Sequence, residues 1–358
     1  MAALPPSREK SAPTTLRVVA IGGGTGLSTL LKGLKKFVGG SGPRSITSLP
    51  ETQISELSGV VTVSDDGGSS GRLRKELNML PPGDIRNCVV ALSQDEALMA
   101  KLFQHRFQKG SGLEGHSFGN LFLAALTSIT GDFAEAVRLS SEILLTCGHI
   151  YPATTSNVEL EAQMEDGTRV LGETKITASK GRIKELRLVP ENVKPMPQTL
   201  DAIASAGLIT IGPGSLFTSL IPNLLVNGIT EAIVTSPAIK VYICNLMTQA
   251  NESLGLTAAD HIRALNEHAR CERLFDYALI NQKPVPQDMK ARYALEGATQ
   301  IVADLDAIER LGVCPVLGNY LEESDVARHA YDEVAHDLIQ LATGAHSGTA
   351  RVGQRSPE

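Results

Sequence analysis

Two apolar periods divide the chain. Leu16–Ile21 is a short continuous apolar run that stops at three glycines, and from Leu27 to Phe37 apolar residues recur at helical spacing. That order predicts a strand, a tight turn and a helix. A second strand is predicted at Gly59–Ser64, ending in DDGGSSG. Between them, residues 39–59 are rich in Gly, Ser, Pro and Thr without a clean period, and read as a surface insertion. From Asp84 to Leu145 the period is helical, as in ALSQDEALMAKLFQHRF and FGNLFLAALTSIT. It changes to two between 149 and 191, where VELEAQM, TRVLGETKI and IKELRLV alternate around an Asp166-Gly167 turn. This stretch predicts a small antiparallel β subregion. Strands then return at Leu208–Ile211, Lys240–Asn245, Phe275–Ile280 and Gln300–Ala303, with helices at Thr257–Arg270 and Asp325–Leu341. Strand–helix alternation of this kind predicts an α/β fold with a mainly parallel sheet and helices on both faces. The expected organisation is one domain over residues 16–346, with flexible tails at 1–15 and 347–358.

Composition narrows the class. The chain has 358 residues, 42% hydrophobic and 20% charged, which suits a globular protein with a sizeable core. Its net charge of -6 argues against a broad nucleic-acid surface. No apolar run reaches the roughly 20 residues of a membrane span, and MAALPPSREKSAPTT lacks the apolar core of a secretory signal. The cysteines, Cys88, Cys147, Cys244, Cys271 and Cys314, are scattered and form no CxxC pair. Reduced thiols in a cytoplasmic protein are expected.

Candidate chemistry sits after the strands, where open parallel sheets hold their ligands. Four segments follow strands, three of them glycine-rich: GGGTG, DDGGSSG, GPGS and the polar NLMTQ. Gly22, Gly23, Gly24, Thr25 and Gly26 precede a helix, so backbone N–H groups and the positive dipole end face the turn. Leu27 stands where the dinucleotide fingerprint needs its third glycine, and no Gly-Lys-Ser/Thr closes the loop, so neither NAD binding nor P-loop hydrolysis follows. Gly212, Pro213, Gly214 and Ser215 repeat the strand–turn–helix logic, with Ser215 also able to serve as a plain helix cap. Asp65 and Asp66 suit ribose hydroxyls or Mg²⁺, and are the candidate metal ligands, though no resident cofactor is assigned. Arg72 and Arg74 beyond them suit phosphate. Asp84, in PPGDIRN, reads as a helix N-cap. His116 and Asn120, in GHSFGN, are candidates beside a phosphate. Asp65, Asp66 and His116 are the candidate catalytic groups, His116 as a proton carrier. The plainer alternative for each is a turn, a cap or packing.

Taken together, GGGTGLSTLLKGLK, VTVSDDGGSSGRLR, PPGDIRN, GHSFGNL, GPGSLFTSLIPNLLV and KVYICNLMTQ resemble the YvcK-type gluconeogenesis factors of the CofD-like superfamily. The resemblance runs from about residue 16 to about 340. It implies a Rossmann-like fold and a cytoplasmic protein linked to cell shape and cell-wall synthesis. It further implies a UDP-sugar ligand such as UDP-N-acetylglucosamine and a protein partner. The related CofD enzymes imply the alternative, a Mg²⁺-dependent transferase of the 2-phospho-L-lactate type acting on a nucleotide diphosphate ester. The segment DDGGSSGRLR…PPGDIRN departs from those enzymes, so their deazaflavin site is not carried over. Within the resemblance, Tyr293 in MKARYALEG and Arg328 in SDVARHAYDE fit the sugar-nucleotide site. A ring can stack on a base or sugar and a guanidinium can grip a diphosphate. A two-fold homodimer is expected as the commonest soluble oligomer.

Overall fold

A computed structural model of the chain describes residues 15–39, 53–179, 181–322 and 324–344. Most of the expected tails and of the expected insertion lie outside the described residues. The first part of the chain runs β1 (Thr15–Gly22), α1 (Gly24–Lys35), β2 (Gln53–Val61), α2 (Gly68–Leu77), α3 (Gly83–Leu92), α4 (Glu96–Gln104), α5 (Phe118–Thr130) and α6 (Phe133–Ile143). Next come β3 (His149–Pro152), β4 (Glu159–Met164), β5 (Arg169–Leu171), α7 (Glu173–Ala178), β6 (Ile183–Val189), α8 (Pro197–Ser205) and β7 (Leu208–Ile211). A π-helical turn, Leu216–Leu220, then leads into α9 (Ile221–Leu224) and α10 (Ile229–Thr235). The chain continues through β8 (Ile239–Ile243), α11 (Ala258–Ala269), β9 (Tyr277–Asn281), α12 (Gln287–Ala294), α13 (Leu305–Arg310) and β10 (Cys314–Gly318). It closes with β11 (Leu321–Glu322), β12 (Arg328–His329) and α14 (Tyr331–Ala342).

Seven strands form one parallel sheet in the order β10-β9-β8-β7-β1-β2-β3. Val18, Val19, Ala20 and Ile21 of β1 are at most 2% exposed, as expected of a central strand covered on both faces. Burying a side chain such as Val or Ile contributes roughly 1.5–3 kcal/mol. From β1 the chain steps through β2 to β3, then returns beside β1 at β7 and steps the other way. Crossovers of one hand running in opposite directions put their helices on opposite faces. The packing agrees: α1 meets α3 and α14, while α11 meets α9 and α13, and α10 meets α8. The result is a Rossmann-like α/β fold. A separate antiparallel sheet, β5-β4-β6, is inserted between β3 and α8.

Several boundaries differ from the pattern. The second strand starts at Gln53, so residues 53–59 belong to the sheet and not to an insertion. A register shift between Leu16 and Arg17, where Ile54 and then Glu56 are the partners, breaks the alternation that would have revealed it. His149–Pro152 pairs in parallel with β2, so the antiparallel region begins only at β4. In TRVLGETKI the strand stops at Leu171, where Gly172 turns with φ +100 into α7. Gln300 makes one isolated bridge to Met247, and the last parallel strand is instead Cys314–Gly318. Pro315 disguised it, yet proline is tolerated at a sheet edge. Residues before Tyr331 form the β11–β12 pair, so the final helix is shorter than its pattern.

Candidate functional site

The chain reverses direction between β1 and β7, and in open α/β sheets the crevice beyond such a point takes ligands. Both glycine turns stand there. Gly24 has φ +59 and Gly212 has φ +91, conformations that L side chains resist. The turns touch: a β-carbon on Gly26 would collide with the Pro213 carbonyl. One on Gly23 would come within 2.6 Å of Thr62 Cγ2. The N-cap of α1 is Gly23, which has no side chain of its own to cap the helix. Asn223 Nδ2 donates to the Gly22 carbonyl (3.1 Å) and holds β1's exit from below.

The β8 exit braces the second turn. Asn245 Oδ1 accepts from Gly214 N (3.1 Å) while its Nδ2 donates to Gly214 O (2.7 Å). Gln249 Nε2 donates to Ser215 Oγ (2.9 Å). Glu252 accepts from Thr218 Oγ1 (2.9 Å) and Phe217 N (3.4 Å) at the start of the π-helical turn. Ser215 therefore offers its hydroxyl to a side chain and does not cap the helix it precedes.

Carboxylates line the β2 side. Asp65 Oδ1 accepts from Gly67 N (2.8 Å), fixing the DDGG turn. Asp66 Oδ1 accepts from Thr174 N (2.9 Å) and Thr174 Oγ1 (2.5 Å), which seats α7 on this loop. On the opposite side Asn251 Nδ2 donates to Thr177 O (3.1 Å). Helix α7 is thus tied to the β2 exit and to the β8 exit. Asp84 is not the N-cap of α3, a place taken by Pro82. Its carboxylate accepts from Gly24 N (2.6 Å) and ties α3 to the glycine turn. Burial, and then the charge of Asp65, push Asp84 up to about 6. Glu173 is pushed up to about 9, first by burial and then by Asp65, Asp84, Asp66 and Glu252. Burial and the neighbouring carboxylates thus favour the protonated form of Glu173 at neutral pH.

His116 and Asn120 belong to a tie at the start of α5. Ser69 Oγ lies 2.9 Å from His116 Nδ1 and accepts from Asn120 Nδ2 (3.0 Å). Arg86 donates to Ser117 Oγ (2.5 Å) and Asn120 Oδ1 (2.9 Å). His116 is buried, and desolvation together with Arg72 lowers its pKa, so the ring is neutral. Arg72 Nη2 donates to the Glu114 carbonyl (2.7 Å). Arg74 is buried and bonds Asn157 and the Val158 carbonyl, a structural role.

Tyr293 and Arg328 lie in a satellite lobe beyond β8 and β9. Leu246, Met247, Val285, Met289 and Leu321 form its own small core, with Tyr293 packed against it. Tyr293 OH accepts from Ala327 N (3.1 Å), next to Arg328, whose side chain is exposed. The tyrosine thus positions the strand that carries the arginine. Among the described residues, no three His, Cys, Asp or Glu side chains group as a metal set. Sequence reasoning missed Asn245, Gln249, Glu252 and Glu173. The first two lay within the NLMTQ segment, but Glu173 stood inside an alternating run and gave no signal of its own.

Comparison with known proteins agrees with this fold. Residues 18–321 match the family described as 2-phospho-L-lactate transferase CofD. The chain is 48% identical over 324 residues to the gluconeogenesis factor of Halalkalibacterium halodurans, covering 90% of this chain and 95% of that protein. It is 47% identical over 326 residues to the gluconeogenesis factor of Bacillus subtilis, covering 91% and 98% respectively. A crystal structure of a Bacillus halodurans protein superposes with a TM-score of 0.84 at 46% identity, covering 91% of this chain and all of that one. The chain belongs to the CofD family, on the branch of the gluconeogenesis factors. Among its described residues no single helix is long and apolar enough to cross a membrane.

Proposed function

We propose that this chain is a cytoplasmic regulator that binds a nucleotide sugar of the UDP-N-acetylglucosamine type. On this reading it acts as a gluconeogenesis factor linked to cell shape and cell-wall synthesis, and passes its ligand state to a protein partner. The observation that carries the reading is the meeting of Gly26 with the Pro213 carbonyl, which joins two glycine turns in one crevice. The N–H groups of α1's first turn after Gly24, whose own N–H is taken by Asp84, suit a diphosphate. Arg328 and Tyr293 are assigned to the nucleotide-sugar end and Arg72 to the β2 side, where Asn120, buried and bonded to Arg86 and Ser69, acts as a support. A protonated Glu173 adds no further negative charge to the acidic side of the crevice, which lessens the repulsion of an anionic ligand.

The family match favours a second reading, a Mg²⁺-dependent transferase acting on a nucleotide diphosphate ester. Asp65 and Asp66 are hard oxygen donors that would hold the ion together with ligand phosphates. Mg²⁺ ordinarily takes one or two carboxylates and keeps waters, so it does not require a closed protein cage. The ion would supply charge neutralisation at the diphosphate. His116, held in its buried tie, has no direct path to a substrate proton.

Calorimetric titration with UDP-N-acetylglucosamine, with and without Mg²⁺, followed by mass spectrometry of the ligand, separates the two. Binding without Mg²⁺ and with intact ligand is the expected result. Ligand consumed only with Mg²⁺ moves the chain to the transferase reading. No heat in either condition refutes the choice of ligand.

A further inference from the structure

Helix α7 crosses the crevice. At one end Asp66, from the β2 exit, accepts from Thr174 N and Thr174 Oγ1. At the other Asn251, in the segment that follows β8, donates to Thr177 O. In the sheet β7 and β1 lie between β8 and β2, and their exits carry the two glycine turns. Three strand spacings make about 14 Å. A six-residue helix covers roughly 9 Å, and the side chains of Asp66 and Asn251 reach across the remainder. Glu173, in the first turn of α7, lies within electrostatic reach of both Asp84 and Glu252. Asp84 holds the first glycine turn, and Glu252 holds the segment that follows the second. The helix therefore lies over the place where the two turns meet.

Its ends are fastened unequally. Gly172 stands at the β2 end with φ +100, and a β-carbon there would come within 2.6 Å of Asp66 Oδ2. Its N–H donates to Leu160 O of β4 (2.8 Å). Together with the two Thr174 bonds, this fixes one end to the β2 exit and to the antiparallel sheet. The far end has the Asn251 bond (3.1 Å). Ile176 is the one side chain that α7 buries, while Thr174, Lys175, Thr177 and Ala178 are exposed. A segment with so few buried apolar contacts opens at lower free energy than the strands beneath it. A glycine at its fixed end supplies a joint that turns without a side chain in the way.

We propose that α7 is a strap across the crevice, pivoting at Gly172 and latched by Asn251, and that a ligand enters when this latch releases. The inference rests on the reading of the crevice as a ligand site, but not on which ligand enters. The latch then governs entry and exit together.

The test places a reporter between the glycine turns. A β-carbon on Gly23 or on Gly214 would lie 3.4 or 3.5 Å from Ser219 Cβ, and Ser219→Cys exchanges a single atom there. In the full chain carrying that change, iodoacetamide labelling at position 219 is timed by peptide mass spectrometry. Amide exchange is followed in α7 and in β1. Asn251→Gly removes the latch and suits the backbone at that position, where φ is +62. Loss of this one hydrogen bond should speed α7 exchange and labelling at 219 alike, by roughly 5-fold, and leave β1 exchange unchanged. Faster α7 exchange with unchanged labelling overturns the proposal, because the helix then frays without gating the crevice. Parent rates in both measures overturn it too, as does an acceleration that extends to β1. With UDP-N-acetylglucosamine, the association and dissociation rates should rise by the same factor in Asn251→Gly, and a rise in dissociation alone overturns the strap. Latch-dependent labelling in a chain that does not bind this sugar nucleotide supports the strap and refutes only the choice of ligand.

Discussion

The glycine turns and the Tyr293 lobe are offered to the same ligand but are built in different ways. Gly22–Gly26 and Gly212–Ser215 hang from β1 and β7, central strands of a seven-stranded sheet. At Gly26 and Gly212 the nearest atoms are backbone carbonyls, of Pro213 and Ile243, so a side chain there is transmitted to the sheet. The lobe carries Tyr293 and Arg328 on a five-residue apolar cluster separate from the main one. It is fastened by bonds such as Thr248 N to Thr299 O (2.8 Å), Val285 N to Gln300 Oε1 (3.0 Å) and Ala327 N to Tyr293 OH (3.1 Å). Regions with few buried apolar contacts open at lower free energy than core strands. The comparison teaches that the glycine turns, proposed for the phosphate, are rigid by construction, while the lobe proposed for the sugar nucleotide is the easier of the two to open.

Gly26→Val should break the comparison most severely. Its side chain meets the Pro213 carbonyl, a backbone atom that cannot swing aside, and we expect a loss of about 3 kcal/mol or more of stability. Chemical denaturation would show it, and UDP-N-acetylglucosamine binding should vanish with it. A variant as stable as the parent would mean that the two turns are not packed together. Arg328→Ala should do the reverse, weakening that ligand by roughly 1–3 kcal/mol in calorimetry while leaving the denaturation midpoint unmoved. Unchanged affinity removes Arg328 from the site.

The acid side gives a pH signature of intermediate size. The Glu173 carboxyl is pushed from the usual carboxylate range up to about 9. The folded chain therefore keeps a proton that the unfolded chain gives up near the ordinary Glu value, and stability falls as pH rises through that window until about 9. Glu173→Gln should flatten this limb, a change in Tm of a few °C between neutral and alkaline pH. The separate fall contributed by Asp84, complete by about pH 6, should remain. An identical alkaline limb in both proteins would show that Glu173 ionises normally. Smallest of all, Tyr293→Phe removes one hydrogen bond, about 1 kcal/mol or less. It should speed amide exchange at Ala327 without changing exchange in β1, and equal acceleration in both would show that lobe and sheet open together.

How legible the molecule was in its sequence follows the same division. β1 and β7 were read correctly because central parallel strands are continuous apolar runs, and their glycine turns stood out against the helices that follow. Other strands were harder: the bulge beside Leu16 scrambled the start of β2, and Pro315 hid the edge strand β10. Asp84 was visible as a residue but not as a tie, since its partner Gly24 lies in a segment brought near only by folding. Glu173 was invisible, because nothing in an alternating run says that a helix will set its carboxyl among Asp65, Asp66 and Asp84. Local periodicity reports burial, whereas a site assembled from four loops is a property of the sheet order.

That assembly has a consequence for how the protein comes into being. Gly26 and Pro213 are roughly 190 residues apart in the chain, and the side chains that brace the second turn, Asn245 and Gln249, come later still. Contacts between such distant segments form only after the intervening loop has been closed. A nascent chain still short of β8 has both glycine turns but lacks Asn245 and Gln249, which brace the second. Whatever enters the crevice therefore stabilises finished molecules selectively and leaves emerging fragments untouched. Ligand abundance would then register in how much completed protein survives proteolysis as well as in what the protein does.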